Sequence, residues 1–197
     1  MVGAAPAPAR RSEIQLSDLS ASAVGLRSEV RADHFAIAAV VAAAFASPVE
    51  AQLVDAIRNS PNFVPEWSVV AVLSEEIVGH VMCSYVTLRS GSNERRVVSL
   101  SPLAVAPKHH GSGIGSALVR EVAARVDRAD EPFIVLEGSP IYYSRFGFEP
   151  ATPLGLNISL PDWASPEAAQ VLRLRNYTPD LQGDIVYPPA FDAVTHD

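Results

Sequence analysis

The sequence predicts a mixed α/β domain, and three observations carry that prediction. Stretches that alternate apolar and polar residues stand beside stretches with an apolar residue at every fourth position, so strands and helices are both encoded. Their order runs from helices through an antiparallel meander to a strand–helix–strand unit, which adds a parallel pair to a mostly antiparallel sheet. The length of 197 residues suits one compact domain, and 48% apolar against 19% charged residues excludes a mainly disordered chain.

Residues 1–20 have the composition of a tail. Arg10 and Arg11 follow a Pro/Ala stretch, and polar residues stand where a signal peptide needs an apolar run. The domain is therefore expected over 21–191, with a second tail at 192–197. Val24 to Val30 alternates and predicts a first strand. Asp33 is placed to cap an alanine-rich helix over 34–46, and Pro48 to open a second at about 49–59, where Leu53, Val54 and Ile57 share a face. Trp67–Leu73 and Ile77–Leu88 are rich in β-formers and flank Ser74-Glu-Glu76, which predicts a hairpin; Ser90-Gly-Ser-Asn93 is a second turn. The next strand, Val97–Val105, contains Pro102, which has no N–H for the ladder and so predicts a bulge or break. Ile114, Leu118, Val122 and Val126 then form one helical stripe. Pro132–Glu137 is a buried strand, Ile141–Phe146 a helical turn ended by Gly147, and 168–174 and 183–187 are the last strands.

Charge and cysteine content exclude several functions. The net charge of −7 gives no footprint for nucleic acid and suits an amine-bearing partner better. Cys83 is the only cysteine, so no internal disulfide forms, no Cys/His cluster has zinc-site spacing, and a reducing, cytoplasmic compartment is expected. The longest uncharged apolar segment, Phe35–Ala46, is well short of the ~20 residues that cross a bilayer, so no membrane partner is expected. Nothing in the sequence decides between a monomer and a homodimer.

The most informative stretch runs from Leu103 to Ser116. After Leu103, Ala104 and Val105 come His110, Gly111, Ser112, Gly113, Ile114, Gly115 and Ser116, with three glycines on alternate positions directly before an amphipathic helix. Such a loop can turn its backbone N–H groups toward one point, where the helix dipole also favours a phosphate or pyrophosphate. A ligand-free turn is the plain alternative. A dinucleotide site would want G-x-G-x-x-G after the first strand, and here the pattern is G-x-G-x-G-S after several; Glu137, about 20 residues on, keeps that alternative open. No Walker lysine follows the glycines.

Leu103-Ala-Val-Ala-Pro107 followed by His110-Gly-Ser-Gly-Ile-Gly-Ser-Ala-Leu118 resembles the acyl-CoA-binding motif of the GNAT acetyltransferase superfamily. Tyr142-Tyr-Ser-Arg-Phe-Gly-Phe-Glu-Pro150 resembles its second motif. Ser101-Pro-Leu-Ala-Val105, Gly138-Ser-Pro140, Glu50-Ala51 with Leu53-Val54 and Ile57-Arg58, and Val186-Tyr-Pro188 with Phe191 are similar to the YhbS-like branch, over roughly residues 25–191. The resemblance implies a fold in which acetyl-CoA wedges between two splayed parallel strands and an amine acceptor attacks the thioester. It implies that Leu103, Ala104 and Val105 bond the pantetheine arm, that the loop from His110 to Ser116 holds the pyrophosphate, and that Tyr143 protonates the departing thiolate. Pro102 offers a physical reason for the splay, since a bulge there frees backbone groups of Leu103–Val105 and lets one N–H polarise the thioester carbonyl.

Some positions depart from the family pattern. Ser99 stands where many relatives carry a basic carboxylate, and a serine is no base unaided. Glu137, His80 and Glu66 are alternatives, and none is assigned. His110 replaces the usual Gln or Arg, with Lys108 and His109 as partial compensation, and Ser139 replaces Asp. Cys83 and His80, three apart on a strand, face opposite sides and form no dyad. Beside the N-acetyltransferase stand a non-catalytic acyl-CoA sensor and a dinucleotide-dependent oxidoreductase.

Overall fold

Adjacent period-two segments pair with one another, and the first half of the sheet is a meander for that reason. The computed structural model describes residues 24–161 and 164–192. Strand β1 (Gly25–Ser28) leads through helices α1 (His34–Phe45) and α2 (Val49–Arg58) to β2 (Phe63–Leu73), β3 (Glu76–Ser90) and β4 (Asn93–Val105), all antiparallel in the order β1-β2-β3-β4. The chain crosses over through α3 (Ile114–Arg128), and β5 (Phe133–Glu137) lies parallel to β4. After α4 (Pro140–Tyr143) come β6 (Glu149–Pro150), β7 (Leu156–Ile158), β8 (Ala169–Arg173) and β9 (Gly183–Val186). β8 pairs with β5 and β6, while β9 returns to the outer end of β3 and takes β7 as a parallel neighbour.

The sheet carries a core on each face. Ile37, Val41, Leu53 and Ile57 from α1 and α2 pack on Met82, Val86, Val97 and Val135. The predicted stripe of α3, Leu118, Val122 and Val126, packs on Val81, Cys83, Val98 and Ile134 on the other. Cys83 thus faces α3, while Met82, Val86 and Leu88 face α1 and α2, and so does His80, paired with Ala104 of the same core.

The bulge expected near Pro102 is present. Cys83 pairs with Leu100 and Val81 with Leu103, so Ser101 and Pro102 together stand opposite Met82. Leu100 and Leu103 consequently face the same side although three residues apart. Leu103, Ala104 and Val105 are not freed from the sheet altogether, as expected from sequence: they stay paired with Val81, His80 and Gly79, and only the edge turned toward β5 is open.

Other expectations need correction. β2, β3 and β4 extend beyond the predicted runs, and β1 stops at Ser28 because a 3-10 turn at Arg31–Asp33 intervenes. Asp33 occupies the cap position of α1 without capping it, since its carboxylate accepts from the Arg27 guanidinium and the Val30 N–H instead. The expected tails lie outside the described residues, apart from Asp192. Among the described residues no helix is long and apolar enough to cross a membrane.

Candidate functional site

The cleft begins where the parallel pairing stops. β4 and β5 are in register only at Val98 with Ile134 and Ser99 with Val135. Beyond that point the bulge at Ser101–Pro102 carries β4 away, and the two strands run on unpaired toward the glycine loop. An open strand edge lined by backbone N–H and C=O groups can bond an extended amide-bearing chain as a further strand would.

The loop at the head of the cleft is shaped to hold an anion. Gly113 is the N-cap of α3 at φ +86°, no side chain caps the helix, and the first-turn amides of Ile114, Gly115 and Ser116 stay open. A Cβ at Gly113 would meet nothing within 4 Å, so glycine is needed there for its backbone conformation and not for crowding. Gly115 has the opposite reason: a Cβ would lie 2.6 Å from the Tyr142 hydroxyl. His110 donates from Nε2 to the Val105 carbonyl at 2.9 Å and ties the loop to the end of β4. Lys108 is paired with Glu76 at 3.0 Å.

Two tyrosines line the α3 side. Tyr142 reaches along α3 to Gly115, with Arg145 stacked 4.1 Å from its ring centroid. Tyr143 packs edge-on against Phe148 and lies so close to the end of β5 that a Cβ at Gly138 would meet its ring at 2.5 Å. Its hydroxyl has no hydrogen-bond partner among the described residues. Burial raises its pKa, with Tyr142 and Cys83 adding to the effect, so the phenol holds its proton at neutral pH.

A second set of polar groups faces the α1 and α2 side. Ser84 and Ser99 are paired across β3 and β4, both side chains are buried, and neither hydroxyl oxygen has a hydrogen-bond partner. Glu137 ends β5 at the mouth of the cleft, two residues beyond Val135 and on the same face. Tyr187, just past β9, turns its hydroxyl toward Ser99 and Glu137. The protein around Glu137 raises its pKa by desolvation even though the residue is exposed in the cleft mouth, and hydrogen bonding from Tyr187 opposes the rise.

The remaining sequence candidates lie elsewhere. His80 is fully buried, its Nε2 within 2.9 Å of Ser68 Oγ and 3.5 Å of Glu29, and burial lowers its pKa against the pull of Glu29. Glu66 lines a cavity of about 620 Å³ with Trp67, Tyr85, Arg125 and Arg128 at the far, C-terminal end of α3. Cys83 is buried, and desolvation pushes its thiol well above the usual range. Among the described residues no group of three or more His, Cys, Asp or Glu could hold a metal ion.

Residues 27–151 match the family described as acetyltransferase (GNAT) domain. The uncharacterized N-acetyltransferase YhbS of Escherichia coli is 32% identical over 149 residues, which cover 76% of this chain and 86% of YhbS. The chain belongs to the GNAT acetyltransferase family. Its fold superposes on the crystal structures of YhbS and of one further GNAT protein. YhbS from E. coli in complex with CoA gives a TM-score of 0.77 at 30% identity, covering 86% of this chain and 92% of that one. A GNAT acetyltransferase from Brucella melitensis in complex with acetyl-CoA gives 0.69 at 31%, covering 86% and 98%. Another uncharacterized E. coli N-acetyltransferase, YjhQ, is 29% identical over 61% of this chain and 66% of its own length.

Membership in the GNAT family gives the departures a structural meaning. His110 is engaged with the Val105 carbonyl and Lys108 with Glu76, so what the loop itself presents is the open backbone amides and positive dipole end of α3. Ser139 begins α4 without a side-chain cap; its carbonyl accepts from the Tyr142 and Tyr143 N–H groups and so orients both rings. At Ser99 there is no carboxylate. Sequence reasoning quoted Tyr187 only within the Val186-Tyr-Pro188 resemblance and gave it no place in the site, because a tyrosine directly after a short strand carries no local signal of the site it enters.

Proposed function

We propose that the protein transfers an acetyl group from acetyl-CoA to a primary amine by direct attack in a ternary complex. The observation that carries this reading is the coincidence in one cleft of an open β4 edge, an uncapped helix N-terminus and an unpartnered phenol. Acetyl-CoA supplies an activated thioester. Ile114, Gly115 and Ser116, with Gly111 before them, offer backbone N–H groups to its diphosphate, while Ser112 bonds the His109 carbonyl through both its N–H and its hydroxyl and, with His110, fixes the loop conformation. The open edge of Leu103, Ala104 and Val105 bonds the pantetheine amides, and an N–H on that edge stabilises negative charge on the thioester oxygen. Tyr143, kept protonated by its surroundings, donates to the sulfur as it leaves. CoA-bound YhbS and the acetyl-CoA-bound Brucella protein support the choice of donor.

The test is a thermal-shift series with CoA, acetyl-CoA, NAD and NADP, joined to an acetyl-CoA-consumption screen over a panel of amines. Ligand at 100 times its dissociation constant adds about 2.7 kcal/mol of stability. CoA and acetyl-CoA are expected to stabilise and the nicotinamide nucleotides not; a response to NAD alone overturns the assignment. A second reading, a CoA-binding sensor without chemistry, is favoured by one feature only, the hydroxyl of Ser99 in place of a carboxylate. Binding of acetyl-CoA with transfer to no amine would select it.

A further inference from the structure

We infer that Glu137, at the end of β5, is the group that takes the acceptor's proton, oriented by Tyr187. The inference rests on the acetyl-transfer reading and gives it the base it lacks on β4.

The placement follows from register. Ser99 and Val135 form the last parallel pair before the strands part, and strand alternation puts Glu137 on the same face as both, level with the bulge. Its carboxylate therefore stands beside the opened edge of β4. Gly138, the next residue, touches the Tyr143 ring on the α3 side. A proton acceptor and a proton donor thus straddle the gap, one on each face of the sheet, as a nucleophile arriving from one side and a sulfur leaving toward the other require.

The neighbours of Glu137 fit the role. Ser84 and Ser99 bring two buried hydroxyls with no partner to the same face, and a hydroxyl can relay or orient a proton without being a base. Tyr187 turns its hydroxyl toward both Ser99 and Glu137, a position from which it orients the carboxylate from the β9 side. Of the titratable groups around Glu137, Tyr187 is the one that acts on it; among the described residues no cation is paired with it, so it has lone pairs left for an incoming ammonium. Desolvation makes it a stronger base than an ordinary carboxylate. The other candidates are spent: His80 is enclosed with Glu29 and Ser68, and Glu66 sits at the far end of α3.

The step balances as follows. The ammonium form of the acceptor gives an N–H proton to the Glu137 carboxylate. The nitrogen lone pair then forms the N–C bond to the acyl carbon. The C–S bond breaks with its electron pair on sulfur, which takes the Tyr143 hydroxyl proton. The nitrogen, positively charged once the N–C bond has formed, gives up its second proton, which returns to the Tyr143 oxygen through solvent, and Glu137 loses the first to solvent, so amide, CoA thiol and one released proton are the products.

The experiment is steady-state acetyl transfer by the full chain to an amine accepted in the panel screen, across pH, for wild type, Glu137→Gln, Glu137→Asp and Tyr187→Phe. Glu137→Gln is expected to lower kcat by about 10²–10⁴-fold below the amine's own pKa. The deficit should shrink above that pKa, where the amine arrives neutral. CoA affinity by calorimetry should be unchanged, Glu137→Asp should recover part of the loss, and Tyr187→Phe, which removes the contact that lowers the Glu137 pKa, should move the acid limb of the profile to higher pH. Wild-type kcat in Glu137→Gln, or an equal loss at every pH, overturns the assignment while leaving acetyl transfer standing. Wild type that binds CoA and acetylates no amine overturns both.

Discussion

Two polar clusters sit on the same face of the sheet, four residues apart along β3, and they are finished differently. Around His80 every charge is answered. Glu29, 4% exposed in its side chain, accepts from Arg58 at 2.7 and 3.0 Å and from Ser68 at 2.6 Å, and Arg58 is itself only 8% exposed. Because Ser68 donates to Glu29, it accepts from His80 Nε2–H; burial lowers the His80 pKa and favours the neutral ring, whose Nδ1 has no partner among the described residues. Around Ser84 the hydroxyls are buried just as deeply and left unbonded. Burying polar groups is costly in both places. The first cluster recovers that cost through its own hydrogen bonds and welds α2 and β1 to the sheet; the second stays unsatisfied at the place where β4 and β5 part. Polarity that serves stability closes on itself, and polarity that serves a ligand does not.

Substitutions in the cleft and in the closed cluster put that contrast to the test. Tyr143→Phe keeps the ring and removes the donor on the open side, so kcat is expected to fall by about 10²–10⁴-fold with CoA affinity little changed. Tyr142→Phe is the matched control and should lose far less turnover; equal turnover in both variants would make Tyr143 mere packing. Glu29→Gln attacks the closed cluster, leaves the buried Arg58 with only the exposed Asp55 as its counter-charge and should cost up to about 3 kcal/mol in denaturant melts.

The pH dependence of that cluster has a defined sign. Burial alone would raise the Glu29 pKa, but hydrogen bonds from His80, Arg58 and Ser68 and the Arg58 charge hold it far below the usual carboxylate range. Its stabilisation is therefore complete above the unfolded carboxylate pKa of about 4.3 and is lost as pH falls. His80, also lowered, adds a loss that begins at about pH 6.5 on the way down. Wild-type stability should accordingly decline below neutrality in two stages, and Glu29→Gln should shrink the lower one, to which Asp33 beside Arg27 also contributes.

Gly113→Val comes next in size. A β-branched residue at φ +86° is strained by about 1–2 kcal/mol, and in the folded fraction CoA should no longer give its thermal shift. Unchanged CoA affinity would refute the anion site. Ser84→Ala is the smallest and the most diagnostic. Removing a buried hydroxyl that has no partner should change stability by less than about 1 kcal/mol, or raise it, whereas Ser68→Ala, which strips a bonded one, should cost about 1–3 kcal/mol.

Much of this architecture was legible in the sequence because it is local. The stripe of α3 has a period, the glycines precede a helix, and a proline cannot serve a strand ladder, so helix, loop and bulge could each be placed from a few neighbouring residues. The closed cluster was not legible, since Glu29, Arg58, Ser68 and His80 come from four elements and meet only after the sheet has formed. β6 and β7, of two and three residues, are too short for a period to register. The tyrosine pair was named from its motif, but its division of space, Tyr142 over the loop and Tyr143 against Gly138, depends on contacts that no spacing encodes.

The extra residue at Ser101–Pro102 also sets what this stretch of chain can tolerate. It is a counting device: with it, Ala104 lies among the side chains of α1 and α2 and Leu103 and Val105 among those of α3; without it, all three would trade sides. Replacing Pro102 alters one side chain, but losing a single residue here inverts the facing of everything up to the glycine loop. Insertions and deletions at 101–102 are therefore far more damaging than substitutions, and length, more than identity, is what this segment must keep.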